Sequence, residues 1–229
     1  MIIRRHDLVE ISDKGRRLAF ERVAPHLLFR EFELVKHLII GTPGGIKIPG
    51  IARREDRKQI PDTIPVGFSS PFRIDGNRLR IAGFVPTSAV IQVVSPFAVI
   101  DREFFPRTPC LNVLVEVLAV AGELGLKLGV WGSSGLEIFT GLQYTDEASD
   151  LDLLVGMTRL DTIRTFTNRL AEIARTFHCK VDAELELDSG YGVKVAELFM
   201  HTDTVLAKGL NDVILLPKHD ILAEMAEVQ

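Results

Sequence analysis

Two carboxylates two residues apart, in Ser149-Asp150-Leu151-Asp152-Leu153-Leu154, are the side chains of this 229-residue sequence best placed to do chemistry. On a strand, residues i and i+2 share a face, so Asp150 and Asp152 would present their oxygens on one side while Leu151 and Leu153 turn into a core. Converging carboxylate oxygens are what a hard divalent cation such as Mg²⁺ requires. An isolated Asp-x-Asp is more often a solvated surface pair. This one is flanked by apolar residues, so its acids sit on a strand otherwise built for burial, where a charge needs a partner.

Three further features converge on the pair. Upstream, Trp131-Gly132-Ser133-Ser134 follows a short apolar run, Leu128–Trp131, and opens a helical stretch, Ser133–Thr140, that Gly141 can stop. Glycine allows close approach of backbone to a ligand, and the free N–H groups of a helix start favour phosphate. Downstream, Lys180-Val-Asp-Ala-Glu-Leu-Glu-Leu187 alternates, with acids at 182, 184 and 186 on one face; Asp182 is the expected third carboxylate, with Glu184 as the alternative. Between the two acidic strands, Ile163, Phe166, Leu170, Ile173 and Phe177 step by 3, 4, 3 and 4, the spacing of an amphipathic helix over 161–177 able to make the two strands neighbours. Together these predict a metal-and-phosphate site: Asp150, Asp152 and Asp182 as metal ligands and catalytic acids, with Gly132, Ser133 and Ser134 at the phosphates.

The elements that must position these residues occupy the second half of the chain. Thr108 and Pro109 suit the cap and first position of a helix carrying Leu111, Leu114, Leu118 and Ala121. Strands are expected at 179–187, 193–198, 205–207 and 213–216, with a closing helix at 219–228. The first hundred residues read as mostly β, with short apolar runs (His37–Ile40, Ile64–Phe68, Val90–Val94), a Gly/Pro-rich loop at 41–50 and a hairpin around Asp75–Asn77. The expected fold is α/β (α+β): a mainly β N-terminal domain over 1–104, for substrate or partner recognition, then a catalytic domain over 105–229 with a small mixed sheet packed by helices, the two joined around 101–107.

Bulk properties narrow the class. Formal charge is −4 overall but divides into +6 over residues 1–100 and −10 over 101–229. An acidic half suits a carboxylate metal site, and a basic half suits a phosphate-rich ligand or an acidic protein. Neither strong overall basicity nor interleaved aromatics point to nucleic acid. The two cysteines, Cys110 and Cys179, lack metal or CxxC spacing, and no apolar run suits a signal peptide or a membrane span, so a cytoplasmic protein is expected.

Strand, Gly-Ser, helix, Asp-x-Asp strand, then a third strand acid resembles the polymerase-beta-like nucleotidyltransferase superfamily. That resemblance implies two Mg²⁺ ions (or Mn²⁺) on Asp150, Asp152 and Asp182 and the triphosphate at Gly132 and Ser133. Sixteen residues, 134–149, separate Ser133 from Asp150, and within them 140–148 stands as a candidate specificity loop. In finer detail, RHDLV (5–9), IPVGF (64–68), VWGSSGLEIFTGL (130–142), SDLDLL (149–154) and VDAELEL (181–187) resemble, in order, the phosphoribosyl-dephospho-CoA transferases of malonate decarboxylase. This implies 2'-(5-triphosphoribosyl)-3'-dephospho-CoA as donor, a serine of the apo acyl carrier protein as acceptor, pyrophosphate as leaving group and Asp182 as proton acceptor.

Other residues have two readings. His6 heads the family-like RHDL but equally suits a capped strand start. Glu137 is a candidate for metal or a sugar hydroxyl, or for a salt bridge within its domain. Trp131 suits core packing more than adenine stacking, and Lys194 suits pairing with Glu184 or Glu186. Arg53, Arg54, Arg57 and Lys58 form a candidate docking patch for an acidic carrier protein, or a solvated loop. Two other functions fit the same residues: a nucleotidyltransferase for a small-molecule, nucleic-acid or protein hydroxyl, and a non-catalytic regulatory homologue.

Overall fold

The structure, a computed structural model, describes residues 2–42, 44–54, 60–74 and 76–228. Among them the chain forms two units, Met1–Ser95 and Pro96–Gln229. In the first, β1 (Leu8–Ile11) is followed by α1 (Asp13–Val23), whose start is capped by the Ser12 hydroxyl accepting the Gly15 N–H at 3.3 Å. Then come α2 (Phe29–Ile40), β2 (Gly50–Ala52), β3 (Thr63–Ile74), β4 (Asn77–Pro86) and β5 (Val90–Val94). The strands make one antiparallel sheet in the order β4-β3-β2-β1-β5. The hairpin expected near residue 75 is the β3–β4 turn, closing on the pair Ile74–Asn77, with Asp75 itself outside the described residues.

The unit is thus mainly β, as expected, but α1 and the helical state of 37–40 escaped the sequence reading. His37–Ile40 reads as a short apolar run only in isolation. Joined to Val35, its buried residues Leu38 and Ile39 complete an i, i+3, i+4 stripe on α2. In α1 the buried side includes Arg16, whose guanidinium donates to the carbonyls of Ile11, Ile39 and Ile48 at 3.1, 2.8 and 2.8 Å. A buried arginine in the apolar stripe hides the periodicity that would reveal the helix. The docking patch falls partly outside the described residues, since Arg57 and Lys58 do.

The second unit opens with a single helical turn, α3 (Pro96–Val99), and α4 (Pro109–Glu123), followed by the expected strand β6 (Leu128–Trp131) and its helix α5 (Gly132–Thr140), on both of which α3 packs. Thr108 holds the capping position of α4, but its hydroxyl bonds Thr145 Oγ1 at 2.9 Å instead of the helix. Next come β7 (Leu151–Val155), α6 (Leu160–Thr176), β8 (Val181–Glu186), β9 (Gly192–Lys194), α7 (Val195–Leu198), β10 (Thr204–Lys208), β11 (Val213–Pro217) and α8 (Lys218–Glu227). The strand expected over 193–198 is cut short. After Lys194 the chain turns into α7, and Ala196, Glu197 and Leu198 take the helical state their propensities favour.

These strands form one mixed sheet, β11-β10-β9-β8-β7-β6, antiparallel throughout except for β7 and β8. That parallel pair is joined by α6, the crossover that parallel neighbours require. Leu151, Leu153 and Val155 on β7 are fully buried, as are Val113, Leu114 and Val117 on α4 and Ile163 and Phe166 on α6, and α4 packs on both α6 and β7. Burying side chains of this kind contributes about 1.5–3 kcal/mol each, which fixes the register of β7 and hence the direction of Asp152. No helix among the described residues is long and apolar enough to cross a membrane.

Candidate active site

Register brings the expected residues together. On adjacent strands, Trp131 lies opposite Asp152, and Asp152 opposite Asp182 in the parallel pair. In-register partners share a face, so Asp152 and Asp182 point the same way, on the side away from Leu151 and Leu153. Asp150 stands one step before β7, and its side chain is 46% exposed, against 37% for Asp182.

Gly132 is what lets the helix start reach these acids. A Cβ built on it would lie 2.1 Å from Asp152 Oδ2, and its φ is +66°. Both facts favour glycine: the backbone is in the left-handed region, and a side chain would press on the Asp152 carboxylate. The first turn of α5 therefore abuts Asp152, and no side chain caps it. Its N–H groups at Gly132, Ser133 and Ser134 remain available to an anion. The Ser134 hydroxyl does not: it is buried and sits 3.7 Å from Cys110 Sγ, leaving Ser134 only a backbone N–H to offer.

Electrostatics sets the three acids apart. Burial, then the charges of Asp182 and Asp150, push the Asp152 carboxyl up to about 7. Asp182 goes the other way. Burial opposes its charge, but the Lys180 ammonium and then Lys194 outweigh that and hold it below the usual carboxylate range. Lys180 Nζ donates to Asp150 Oδ2 at 2.9 Å and to Asp182 Oδ2 at 3.2 Å, while Lys194 Nζ reaches Asp182 Oδ1 at 3.5 Å. Asp182, and not Glu184 or Glu186, is thus the partner of Lys194. Among the described residues no three Asp, Glu, His or Cys side chains already close on one point as a metal cage. Two of the three acids close on Lys180 instead.

Glu184 is further from this chemistry. It is 4% exposed and faces Lys208 Nζ at 3.7 Å. Trp131 is half-buried, its indole N–H donating to the Leu153 carbonyl at 3.3 Å, which is a packing role. His6 belongs to the first unit, at φ +70° ahead of β1 and with its backbone N–H on the Ala52 carbonyl.

Glu137 takes the salt-bridge reading. Its carboxylate accepts two bonds from Arg107, at 2.7 and 2.9 Å, the N–H groups of Tyr144 and Thr145 at 2.8 and 2.7 Å, and the Thr145 hydroxyl at 2.8 Å. Burial works against its charge, but these donors, Arg107 foremost, hold the carboxyl below its usual range. The result ties α5 to the 140–148 loop. That loop then runs through a turn in which Asp146 and Ser149 bond each other (2.9 Å) and delivers Asp150. Neither Arg107 nor Lys180 was legible as part of the site: an arginine in a linker-like stretch and a lysine at a strand start carry no spacing signal.

Comparison with known proteins finds relatives of both units. The family model described as phosphoribosyl-dephospho-CoA transferase MdcG N-terminal domain matches residues 4–96, and that of the C-terminal domain matches residues 98–219. A phosphoribosyl-dephospho-CoA transferase of Pseudomonas aeruginosa is 32% identical over 148 residues, covering 64% of this chain and 70% of the relative. One from Bradyrhizobium diazoefficiens is 26% identical over 223 residues, 96% of this chain and 92% of the relative. No solved structure matches the chain.

Proposed function

The chain belongs to the phosphoribosyl-dephospho-CoA transferase family and is a transferase, and on that premise we propose the reaction it performs. It moves the phosphoribosyl-dephospho-CoA group from 2'-(5-triphosphoribosyl)-3'-dephospho-CoA to a serine of the acyl carrier protein of malonate decarboxylase, in the cytoplasm, through a polymerase-beta-like nucleotidyltransferase domain. The serine oxygen bonds to the α-phosphorus, the bond from that phosphorus to the bridging oxygen breaks, and pyrophosphate leaves.

The observation that carries this reading is the contact of the α5 start with Asp152, in register with Asp182. It sets an uncapped helix N-terminus, suited to phosphate, against a carboxylate pair suited to a cation. The acids fit Mg²⁺ on their own charge balance: Asp152 is raised to about 7 by burial and by its acidic neighbours, so the ionised cluster lacks positive charge where it is most buried. Asp150, Asp152 and Asp182 would hold the metal, as two ions or with Mn²⁺ in their place. Bound there, the metal would supply positive charge to acidify the attacking hydroxyl and to stabilise the leaving pyrophosphate.

The chain's own groups do the rest. N–H groups of Gly132, Ser133 and Ser134, with the Ser133 hydroxyl, hold the terminal phosphates at the helix start. Asp182, kept ionised by its lysines, takes the serine proton. Glu137 and Arg107 fix the loop that places Asp150. The test is pyrophosphate release on offering the CoA-type donor or ordinary nucleoside triphosphates, each with Mg²⁺ and the apo carrier protein. Release with the CoA-type donor alone supports the reading; release with ordinary triphosphates alone assigns the domain to a different nucleotidyl transfer.

A further inference from the structure

In the reaction described above Lys180 serves only to help keep Asp182 ionised, yet it is bonded to two of the three acids. Its side chain is 64% exposed, so it reaches the carboxylates from the solvent side, where a substrate would arrive. Its own backbone is fixed: the Lys180 carbonyl accepts the Leu151 N–H at 2.9 Å, one step from Asp150. The long, flexible side chain is therefore rooted at the mouth of the acidic cluster, with its ammonium on the two carboxylates. Lys194 differs, since it touches Asp182 alone, on the other carboxylate oxygen and at 3.5 Å.

We propose that Lys180 is a phosphate-binding residue of the transferase, parked on Asp150 and Asp182 until a divalent cation takes those carboxylates and then turned onto the donor's phosphates. The inference rests on the metal reading of the preceding subsection. Its physical basis is that one position between two carboxylates cannot hold both an ammonium and a divalent cation. Once displaced, the ammonium is repelled by the metal and drawn to the nearest anion, the polyphosphate the metal itself recruits. Before that, the bridge neutralises charge that would otherwise push the two acids apart.

The test separates this from the metal reading. Mn²⁺ binding by electron paramagnetic resonance is compared in wild type and Lys180→Met, followed by steady-state kinetics with the CoA-type donor. Two exposed ion pairs are lost with the lysine, so Mn²⁺ binds Lys180→Met about fivefold more tightly. A charge-assisted contact to phosphate is lost as well, so KM for the donor rises about tenfold. Lys180→Arg restores both values towards wild type. Wild type that binds Mn²⁺ together with a Lys180→Met variant of unchanged Mn²⁺ affinity overturns the parking, and an unchanged KM overturns the phosphate contact. Wild type that takes up no Mn²⁺, with or without pyrophosphate, overturns the metal reading and this inference with it.

Discussion

Replacing Asp152 with asparagine should stabilise the metal-free protein near neutral pH while abolishing its chemistry. The Asp152 carboxyl moves from 3.8 to about 7 on folding. That rise is worth about 4 kcal/mol against the ionised folded form, and solvent access to a half-buried group reduces this to about 2–4 kcal/mol. The sign follows from proton linkage. Between about pH 4 and pH 7 the unfolded chain loses this proton while the folded chain keeps it, so stability falls as pH rises through that window. Asp182 is shifted down, so its contribution is lost only as pH falls below the ordinary carboxylate range and does not overlap the window. Asparagine cannot ionise. In chelator, Asp152→Asn should therefore match wild type near pH 4 and exceed it at pH 8, by about 5–15 °C in Tm. Thermal unfolding across pH 4–8 reads this directly. A difference independent of pH, or a variant less stable than wild type at pH 8, would refute the argument that unbalanced negative charge is stored at Asp152.

The same reasoning gives three further expectations. Mg²⁺ should raise the Tm of wild type at pH 8 far more than at pH 5, where Asp152 keeps its proton, and should leave Asp152→Asn almost unmoved; differential scanning fluorimetry with Mg²⁺ or EDTA checks this. Gly132→Ala should cost about 2–4 kcal/mol and remove activity, because its Cβ meets Asp152 Oδ2 in a left-handed backbone; in a double-mutant cycle, Asp152→Ala should recover part of that stability, and strict additivity counts against the contact. Arg107→Ala should cost about 2 kcal/mol by leaving Glu137 charged and half-paired, and should lower kcat by loosening the loop ahead of Asp150; denaturant unfolding and steady-state rates would show it.

Elements governed by a single strong period could be read from the sequence. The 3-4-3 stripe of Ile163, Phe166, Leu170 and Ile173 lies on α6, and Leu151 and Leu153 bracket Asp152 on a buried strand as alternation requires. The Gly132 turn and the Gly141 stop were legible because positive φ leaves a glycine mark, at +66° and +72°. What escaped depended on long-range partners. Arg16 inside α1 finds its acceptors 5, 23 and 32 residues away. Glu137 was open between ligand and salt bridge until the fold brought Arg107 to it. Lys180 became part of the site only when the parallel register of β7 and β8 set it beside Asp150.

The central claim is a transfer, and the most direct measurement is the intact mass of the acyl carrier protein after incubation with this enzyme, the CoA-type donor and Mg²⁺. The account predicts a gain equal to one phosphoribosyl-dephospho-CoA group with wild type, lost when the carrier's serine is replaced by alanine, and lost with Asp150→Ala or Asp152→Ala although both variants remain folded. No mass gain with wild type under Mg²⁺ or Mn²⁺, or wild-type gains with both aspartate variants, would contradict it.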